Sequence, residues 1–309
     1  MRVLVTCPPM IGAKEKFLPL FETRGWEAVI PEFTQVMSEQ ALCEAVPQCD
    51  GWIIGDDPAT RRVFEAGVSG RLKAAVKWGI GTDNVDFKAC QELSIPIANT
   101  PQMFGNEVAD VALGYVVCLA RDLMTIDREV RQGNWYKPQG QSLSETTIGV
   151  VGYGDIGRQT CHRMKALGSR VVSWDPGVPP SQVEQGVELL TWPRDIDACD
   201  YLILTCNLND ANHHMINADI LSQLKRGAKV INVARGPLID ENALYEALRG
   251  GQVSGAALDV FEVEPVTIDN RLLSFPGVLV GSHNGSNTLE GVMRANAKAI
   301  SLLEGFLND

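Results

Sequence analysis

Three reactive side chains stand directly behind apolar, strand-like runs. Ile231-Asn232-Val233-Ala234 leads into Arg235-Gly236, Ala257-Leu258-Asp259 into Glu262-Val263-Glu264-Pro265, and Val278-Leu279-Val280-Gly281-Ser282 into His283-Asn284-Gly285. Open parallel sheets form their binding crevice at the carboxyl ends of the strands, so the three are expected to converge. The set suits conversion of a hydroxyl to a carbonyl while hydride leaves the same carbon. The hydroxyl proton needs a base, and an imidazole, whose ordinary pKa lies near neutrality, fits that task at His283. Glu264 can hold the far ring nitrogen, fix the tautomer and stabilise the imidazolium that forms. Arg235 brings a planar donor fork that clamps a carboxylate or polarises a carbonyl oxygen.

A hydride needs an acceptor, and a glycine-rich turn offers a place for one. Ile148-Gly149-Val150-Val151 runs straight into Gly152-Tyr153-Gly154-Asp155-Ile156-Gly157, followed by a helical pattern that Gly168 stops. Gly152 permits the tight turn, Gly154 lets the backbone approach a pyrophosphate, and Gly157 lets the helix lie close to the strand. Free amides at the helix start face the anion. The next strand-like run, Arg170 to Trp174, ends in Asp175. A carboxylate there accepts hydrogen bonds from ribose hydroxyls and repels a 2'-phosphate, so NAD is expected rather than NADP. Asp155, within the loop, is expected to turn its carboxylate to solvent.

Upstream, Gly79-Ile80-Gly81-Thr82-Asp83-Asn84-Val85-Asp86 follows the run Ala74 to Trp78. Glycines at a sheet's carboxyl edge expose amides, and those of Ile80 and Gly81 can bind an anion. Lys77, Arg61 and Arg62 are the nearest cations in the expected fold, although a solvated surface place suits the arginines equally well. The net charge of −11 repels nucleic acid and anionic lipid, so no such partner is expected, and an anionic substrate has to be caught by local groups. The eight cysteines form no C-x-x-C pair and no metal-ligand spacing with the four histidines, so no metal is expected and the thiols read as free. Cys206 reads as a packed residue, His213 and His214 as solvent-facing, and His162 as packing or surface.

The elements that must position these residues follow from hydrophobic periodicity. Short apolar runs at Val3 to Thr6, Ala28 to Ile30, Trp52 to Ile54, Ala74 to Trp78 and Ile95 to Ala98 alternate with helical stretches. After Asn99-Thr100-Pro101 a long helix is expected over 106–132. A second series then follows at 147–151, 170–174, 201–205, 229–233, 254–258 and 278–281, with a closing helix over 287–306. Alternation of this kind gives α/β architecture with parallel sheets. The longest apolar stretch, Val108 to Ala120, is too short for a bilayer span of about 20 residues. The first residues enter a strand without a signal-like segment, which places the chain in the reducing cytoplasm as an expectation.

Taken together, the motifs resemble those of the D-isomer-specific 2-hydroxyacid dehydrogenase family. The run Gly152 to Gly157 with Asp175, Val233-Ala234-Arg235-Gly236, Leu258 to Pro265, His283 with Gly285, and the Gly79 to Asp86 loop carry the likeness, which covers nearly the whole chain. The resemblance implies two doubly wound parallel-sheet domains: a Rossmann NAD-binding domain at 101–286 inserted in a flavodoxin-like substrate domain at 1–100 and 287–309. It implies Arg235, Glu264 and His283 as the catalytic trio, and a small anionic 2-hydroxy or 2-keto acid held by Lys77, Ile80 and Gly81 with Arg235 and His283. For NAD it implies Gly152, Gly154, Asp155, Ile156, Gly157, Asp175, Thr205, Cys206, Asn207, Asn212, Val233, Ala234, Arg235, His283 and Gly285, with Asp259 on the nicotinamide carboxamide. A homodimer formed through the cofactor domain is implied as well.

The chain departs from the family's pattern at several places. Thr205-Cys206-Asn207-Leu208 replaces a usual His-x-Pro-Leu segment, and Asn284 a usual apolar residue. Phosphoglycerate dehydrogenases, the branch it resembles, usually carry arginine where Lys77 and the Gly55-Asp56-Asp57 segment stand, and many have a C-terminal regulatory domain, feedback through which is not expected here. Other readings are a non-catalytic NAD-binding regulator, a D-3-phosphoglycerate dehydrogenase, an enzyme that holds NAD tightly for another reaction, as adenosylhomocysteine hydrolase does, and a phosphite or formate dehydrogenase. Formate has no hydroxyl to deprotonate, so Glu264 speaks against it. The joint presence of base, orienting acid and anion clamp speaks against a regulator.

Overall fold

In the computed structural model the alternating runs become two wholly parallel sheets. Residues 1–308 are described; Asp309, last residue of the expected substrate domain, lies outside them. The chain divides into one unit of residues 1–104 with 286–308 and another of residues 105–285.

The first unit holds β1 (Arg2–Val5), β2 (Glu27–Val29), β3 (Gly51–Ile54), β4 (Ala74–Lys77) and β5 (Ile97–Asn99), in the order β2-β1-β3-β4-β5. That order is the flavodoxin-like one, with its switch point between β1 and β3. Every residue of β3 and β4 is buried, as expected of strands covered on both faces, and apart from Lys77 at the end of β4 their sequences are apolar rather than alternating. Trp52 lies in this core and donates its indole N–H to Thr6 Oγ1 at 2.9 Å. The closing helix, Leu289–Asn308, packs on β3 and β4, and its buried Asn296 accepts from the Trp78 indole at 2.8 Å.

The second unit holds β6 (Thr147–Val151), β7 (Arg170–Trp174), β8 (Val187–Leu190), β9 (Tyr201–Leu204), β10 (Ala228–Asn232), β11 (Val253–Leu258) and β12 (Val278–Val280), in the order β12-β11-β10-β9-β6-β7-β8. Counted from β6 this is the Rossmann order with one strand added at the far edge. Two features depart from the sequence reading. The long helix over 106–132 is broken into Gly105–Arg121 and Leu123–Arg131 by Asp122, which adopts φ +53°; Asp is among the few non-glycine residues that enter that region readily. β8 has no counterpart in the reading because it is a half-exposed edge strand without a continuous apolar signature.

Each sheet carries the same polar clip at its centre. Asp50, just ahead of β3, donates its amide to the Arg2 carbonyl at the start of β1 and accepts the Arg2 amide on its side chain at 2.8 Å. Asp200, just ahead of β9, does the same with Thr147 at the start of β6, its side chain accepting the Thr147 amide at 2.9 Å. Each carboxylate also meets a cation from the loop before the next strand, Arg71 at 2.9 Å and Lys225 at 2.6 Å. Burial alone would raise both carboxyl pKa values. At Asp50 the Arg2 amide and the Arg71 guanidinium outweigh it, and at Asp200 Lys225 and the Thr147 amide do, so both lie below the ordinary carboxylate range.

A carboxylate with a depressed folded pKa contributes stability that is present above its unfolded pKa and lost as pH falls through the folded value. The contribution of Asp50 and Asp200 is therefore complete at neutrality and disappears below about pH 4. Asp50→Asn and Asp200→Asn should lower the melting temperature at pH 7, while the gap to the parent closes on acidification. Melting curves taken from pH 7 down to pH 3 check this, and a gap that stays constant would count against it.

Candidate active site

The histidine at 283 is held at two points by one short segment. Its backbone N–H donates to the Asp259 carbonyl at 2.6 Å, and its ring Nδ1 lies 2.7 Å from Glu264 Oε2. Glu264 is itself fixed, because its other oxygen accepts the Phe261 amide at 2.9 Å. His283 has φ +54°, a left-handed conformation that costs a non-glycine residue about 1–3 kcal/mol and persists only where surroundings impose it. The buried Asp259 supplies that imposition: its carboxylate accepts the Gly285 amide at 2.9 Å and the Asn284 amide at 3.4 Å.

Arg235 is brought to the same segment through the glycine after it. A Cβ at Gly236 would drive into the carbonyl carbon and oxygen of Phe261, so only glycine lets these two backbones touch. Asn232, buried at the end of β10, shapes the turn from inside: its amide donates to the Arg235 carbonyl at 2.8 Å and its oxygen accepts the Ala234 amide at 3.0 Å. Sequence reading overlooked Asn232, although a lone amide at the end of a buried strand was the available signal.

The glycine turn after β6 has the shape its sequence demands. Gly152 has φ +97°, and a Cβ there would meet the Cys206 backbone. A Cβ at Gly157 would drive into the Gly152 carbonyl, whereas one at Gly154 would enter open space, which leaves the first helical turn approachable from outside. Asp175 is poised beside it, accepting the amides of Tyr153 at 2.7 Å and Gly177 at 2.8 Å. Thr205 is buried beneath the turn, donating to the Val151 and Gly152 carbonyls at 3.0 Å each. Val233 and Ala234 are buried at the end of β10. Asn212 bonds within its own loop, to the Asn207 carbonyl and the Asn209 amide at 2.7 Å each.

In the other unit, the loop after β4 is closed by Thr100, whose hydroxyl accepts the Gly79 amide at 2.7 Å, and by Asn99, which donates to the Ile80 carbonyl at 3.1 Å. Among the described residues neither the Ile80 nor the Gly81 amide donates to an acceptor of the chain. Lys77 is buried, its ammonium donating to the Gly55 carbonyl at 2.6 Å and to Asp56 Oδ1 at 3.0 Å. Asn84 donates to the same Gly55 carbonyl at 3.0 Å, so the two loops form one edge. Arg61 pairs with Glu92 and Glu65, and Arg62 with Glu39.

Residues 113–285 match the model of the family described as D-isomer specific 2-hydroxyacid dehydrogenase, NAD binding domain. The chain belongs to that family. It is 32% identical over 269 residues to the hydroxypyruvate reductase of Thermotoga maritima, covering 85% of this chain and 87% of that one. It is 35% identical over 272 residues to the chloroplastic D-3-phosphoglycerate dehydrogenase 2 of Arabidopsis thaliana, covering 86% of this chain but only 43% of the relative, so it spans less than half of that protein's length. The crystal structure of TT0316 protein from Thermus thermophilus superposes with a TM-score of 0.87 at 29% identity, over 100% of this chain and 97% of that one. The family's cofactor is NAD, and the glycine turn with its acid fits it: the space left open at Gly154 and the fixed Asp175 carboxylate are what a dinucleotide requires.

Within this family member, some side chains lie elsewhere than the sequence suggested. Asp155 is half-buried and does not face solvent; its carboxylate lies 2.5 Å from where a Gly105 Cβ would stand. The missing side chain at Gly105 makes that room, and the exposed amides at the start of helix Gly105–Arg121 favour a negative charge there. His214 is half-buried at φ +51°, its Nε2 facing Glu262 at 3.4 Å, whereas His213 is exposed and stacks on it at 4.1 Å. His162 is exposed, 3.2 Å from Glu184. Burial pushes the Cys206 thiol up to about 11, which leaves it protonated at neutrality and unsuited to nucleophilic work. All eight cysteines are free. Among the described residues no group of three or more His, Cys, Asp or Glu could hold a metal ion, and no helix is long and apolar enough to cross a membrane.

If Asp175 is the ribose acceptor that its place after β7 predicts, removing its carboxylate also removes the repulsion toward a 2'-phosphate. Asp175→Ala should reduce the kcat/KM preference for NADH over NADPH by about 10-fold or more, a change of about 1.4 kcal/mol in transition-state binding. Initial rates with the two cofactors measure it; an unaltered ratio would remove Asp175 from cofactor selection.

Proposed function

We propose that this family member oxidises, or in reverse forms, a short unphosphorylated D-2-hydroxy acid, with His283, Glu264 and Arg235 performing the chemistry. The observation that carries the reading is the 2.7 Å contact between His283 Nδ1 and Glu264 on a backbone that is itself pinned to Asp259. With Nδ1 committed, Nε2 is the nitrogen that exchanges a proton with the substrate oxygen. Bound NAD supplies the acceptor or donor of hydride. In oxidation the O–H proton passes to His283 Nε2 as the carbonyl forms; in reduction the imidazolium returns it. Glu264 stabilises the charged ring during that interval. Arg235 offers its donor fork to the carbonyl oxygen or the carboxylate.

The lack of a phosphate on the substrate is inferred from the edge of the first sheet. The Lys77 charge, the buried cation nearest the Ile80 loop in sequence, is already shared with Asp56. A second anionic group arriving there would find the Lys77 charge already balanced by Asp56, so this pair offers it little net attraction. The relatives' names divide: that of the Thermotoga maritima protein agrees with this reading, and that of the Arabidopsis thaliana protein names a phosphorylated acid. A panel of 2-keto acids with NADH tests this. Glyoxylate or hydroxypyruvate should be reduced with kcat/KM about 100-fold above that of 3-phosphohydroxypyruvate, and His283→Ala should lower kcat by about 10²–10⁴-fold with NADH affinity preserved. Comparable use of the phosphorylated acid would refute the substrate assignment; an active alanine variant would refute the base.

We further propose that the working form is a homodimer joined through the second unit. The helix Leu123–Arg131 has no buried residue, and Leu123, Met124 and Val130 are exposed together with Trp135, which is 81% accessible. Apolar side chains gathered in this way are covered in most proteins by a partner. Light scattering should give twice the chain mass, and Met124→Glu combined with Trp135→Ala should shift it toward the single chain. A parent protein that is already monomeric at micromolar concentration would exclude the dimer.

A further inference from the structure

Tyr115 sits on the helix Gly105–Arg121, on the side that also carries the buried Val108 and Ala112. Packing against such neighbours calls for an apolar residue, yet position 115 carries a hydroxyl. That hydroxyl donates to Asp259 Oδ1 at 3.3 Å. The contact depends on Gly281, where a Cβ would collide with the Asp259 carboxylate and stand 2.5 Å from the Tyr115 oxygen. Burial, and then the adjacent Asp259 charge, push the phenol above its ordinary range, so it stays protonated and donates at any working pH.

Asp259 is the group on which the turn Gly281–Gly285 closes. Its carbonyl takes the His283 amide, and its carboxylate takes those of Asn284 and Gly285. Both bonds to Oδ1 are long, 3.3 Å from the phenol and 3.4 Å from the Asn284 amide, so each depends on the other being kept. Without the phenol, one oxygen of a buried carboxylate would retain only the long bond from Asn284. Buried charged oxygens are costly when incompletely paired, and the side chain would turn to find another donor. The left-handed backbone of His283 would lose part of what imposes it.

We propose that Tyr115 is a positioning residue for His283, acting through Asp259: its phenol O–H fixes the carboxylate rotamer that ties down the turn carrying the imidazole. The inference rests on His283 serving as the proton-transfer group, and it assigns a function to a residue outside every recognised motif.

The test is Tyr115→Phe, which keeps the ring and removes only the donor. In the full-length protein kcat for the preferred 2-keto acid should fall about 10-fold, as expected for loss of one charge-assisted bond, with the KM for the acid and the melting temperature nearly unchanged. The chain has four histidines, so ¹⁵N-histidine labelling gives a direct view of the ring. The His283 signals should shift or broaden while those of His162, His213 and His214 stay in place. In a double-mutant cycle, Tyr115→Phe should cost little once Asp259→Asn is present, because the two belong to one path. An unchanged kcat, fully additive losses, or a kcat loss with the His283 spectrum unaltered would each overturn the proposal. Since the spectrum is read independently of turnover, failure of the base assignment, seen as an active His283→Ala, is distinguishable from failure of this one.

Discussion

The constraint on which the second unit's chemistry depends is the pinning of His283 to the segment 259–264. One end of that segment accepts the histidine amide and the other orients its ring. Backbone and side chain are thus held by residues five apart in sequence, and little independent motion is left between the imidazole and the Glu264 carboxylate. Pre-organisation of this sort matters because proton transfer requires hydrogen-bond reach in a defined direction. It also accounts for the left-handed histidine. A residue in that conformation persists only where its surroundings impose it, and here its amide, its ring and the two amides after it are all held.

The same segment recruits the cation. Gly236 brings the backbone after Arg235 against Phe261 and Glu262, while Glu262 and Glu241 exchange side chain to amide bonds at 2.8 and 2.7 Å that lock the neighbouring helix start in place. The arginine, the acid and the histidine therefore come from three strands, but their positions are referred to one stretch of chain. Asn232 contributes from below, by satisfying both sides of the Arg235 turn with one amide. None of these supporting residues carries chemistry; each removes a freedom that a reactive group would otherwise have.

Much of this was legible in the linear pattern, for identifiable reasons. Buried parallel strands are largely apolar, so β3 and β9 announce themselves, as do β4 and β10 despite Lys77, Lys229 and Asn232, and reactive residues just behind such runs point to a sheet's carboxyl edge. The glycine turn with Asp175 is legible because backbone geometry dictates glycine at 152 and 157. Illegible were features decided by a partner distant in sequence. Asp155 faces Gly105 rather than solvent, Lys77 is neutralised by Asp56, and Tyr115 reaches Asp259 across 144 positions. The clip formed by Asp50 and again by Asp200 belongs here too. Cys49-Asp50 and Cys199-Asp200 are alike in sequence, but their equivalence emerges only when each is seen bonded to the first residue of the strand beside it.

A chain of net charge −11 that takes a hydroxy acid, as proposed above, binds an anion against its own field. Added surface lysines would be a poor remedy, since exposed cations on this protein find carboxylates, as Arg61 and Arg62 do with Glu92 and Glu39. Backbone amides escape that fate because they carry no net charge to be neutralised, and a glycine-rich edge presents them at little steric cost. Lys77 shows the contrast: placed at the same edge, it is buried and its charge is taken by Asp56. Recognition built on amides discriminates by geometry at short range and is indifferent to additional charge elsewhere on the ligand, whereas the acidic surroundings are not. On the proposed reading the amides take one carboxylate, and a Lys77 charge already shared with Asp56 adds little attraction for a second anionic group.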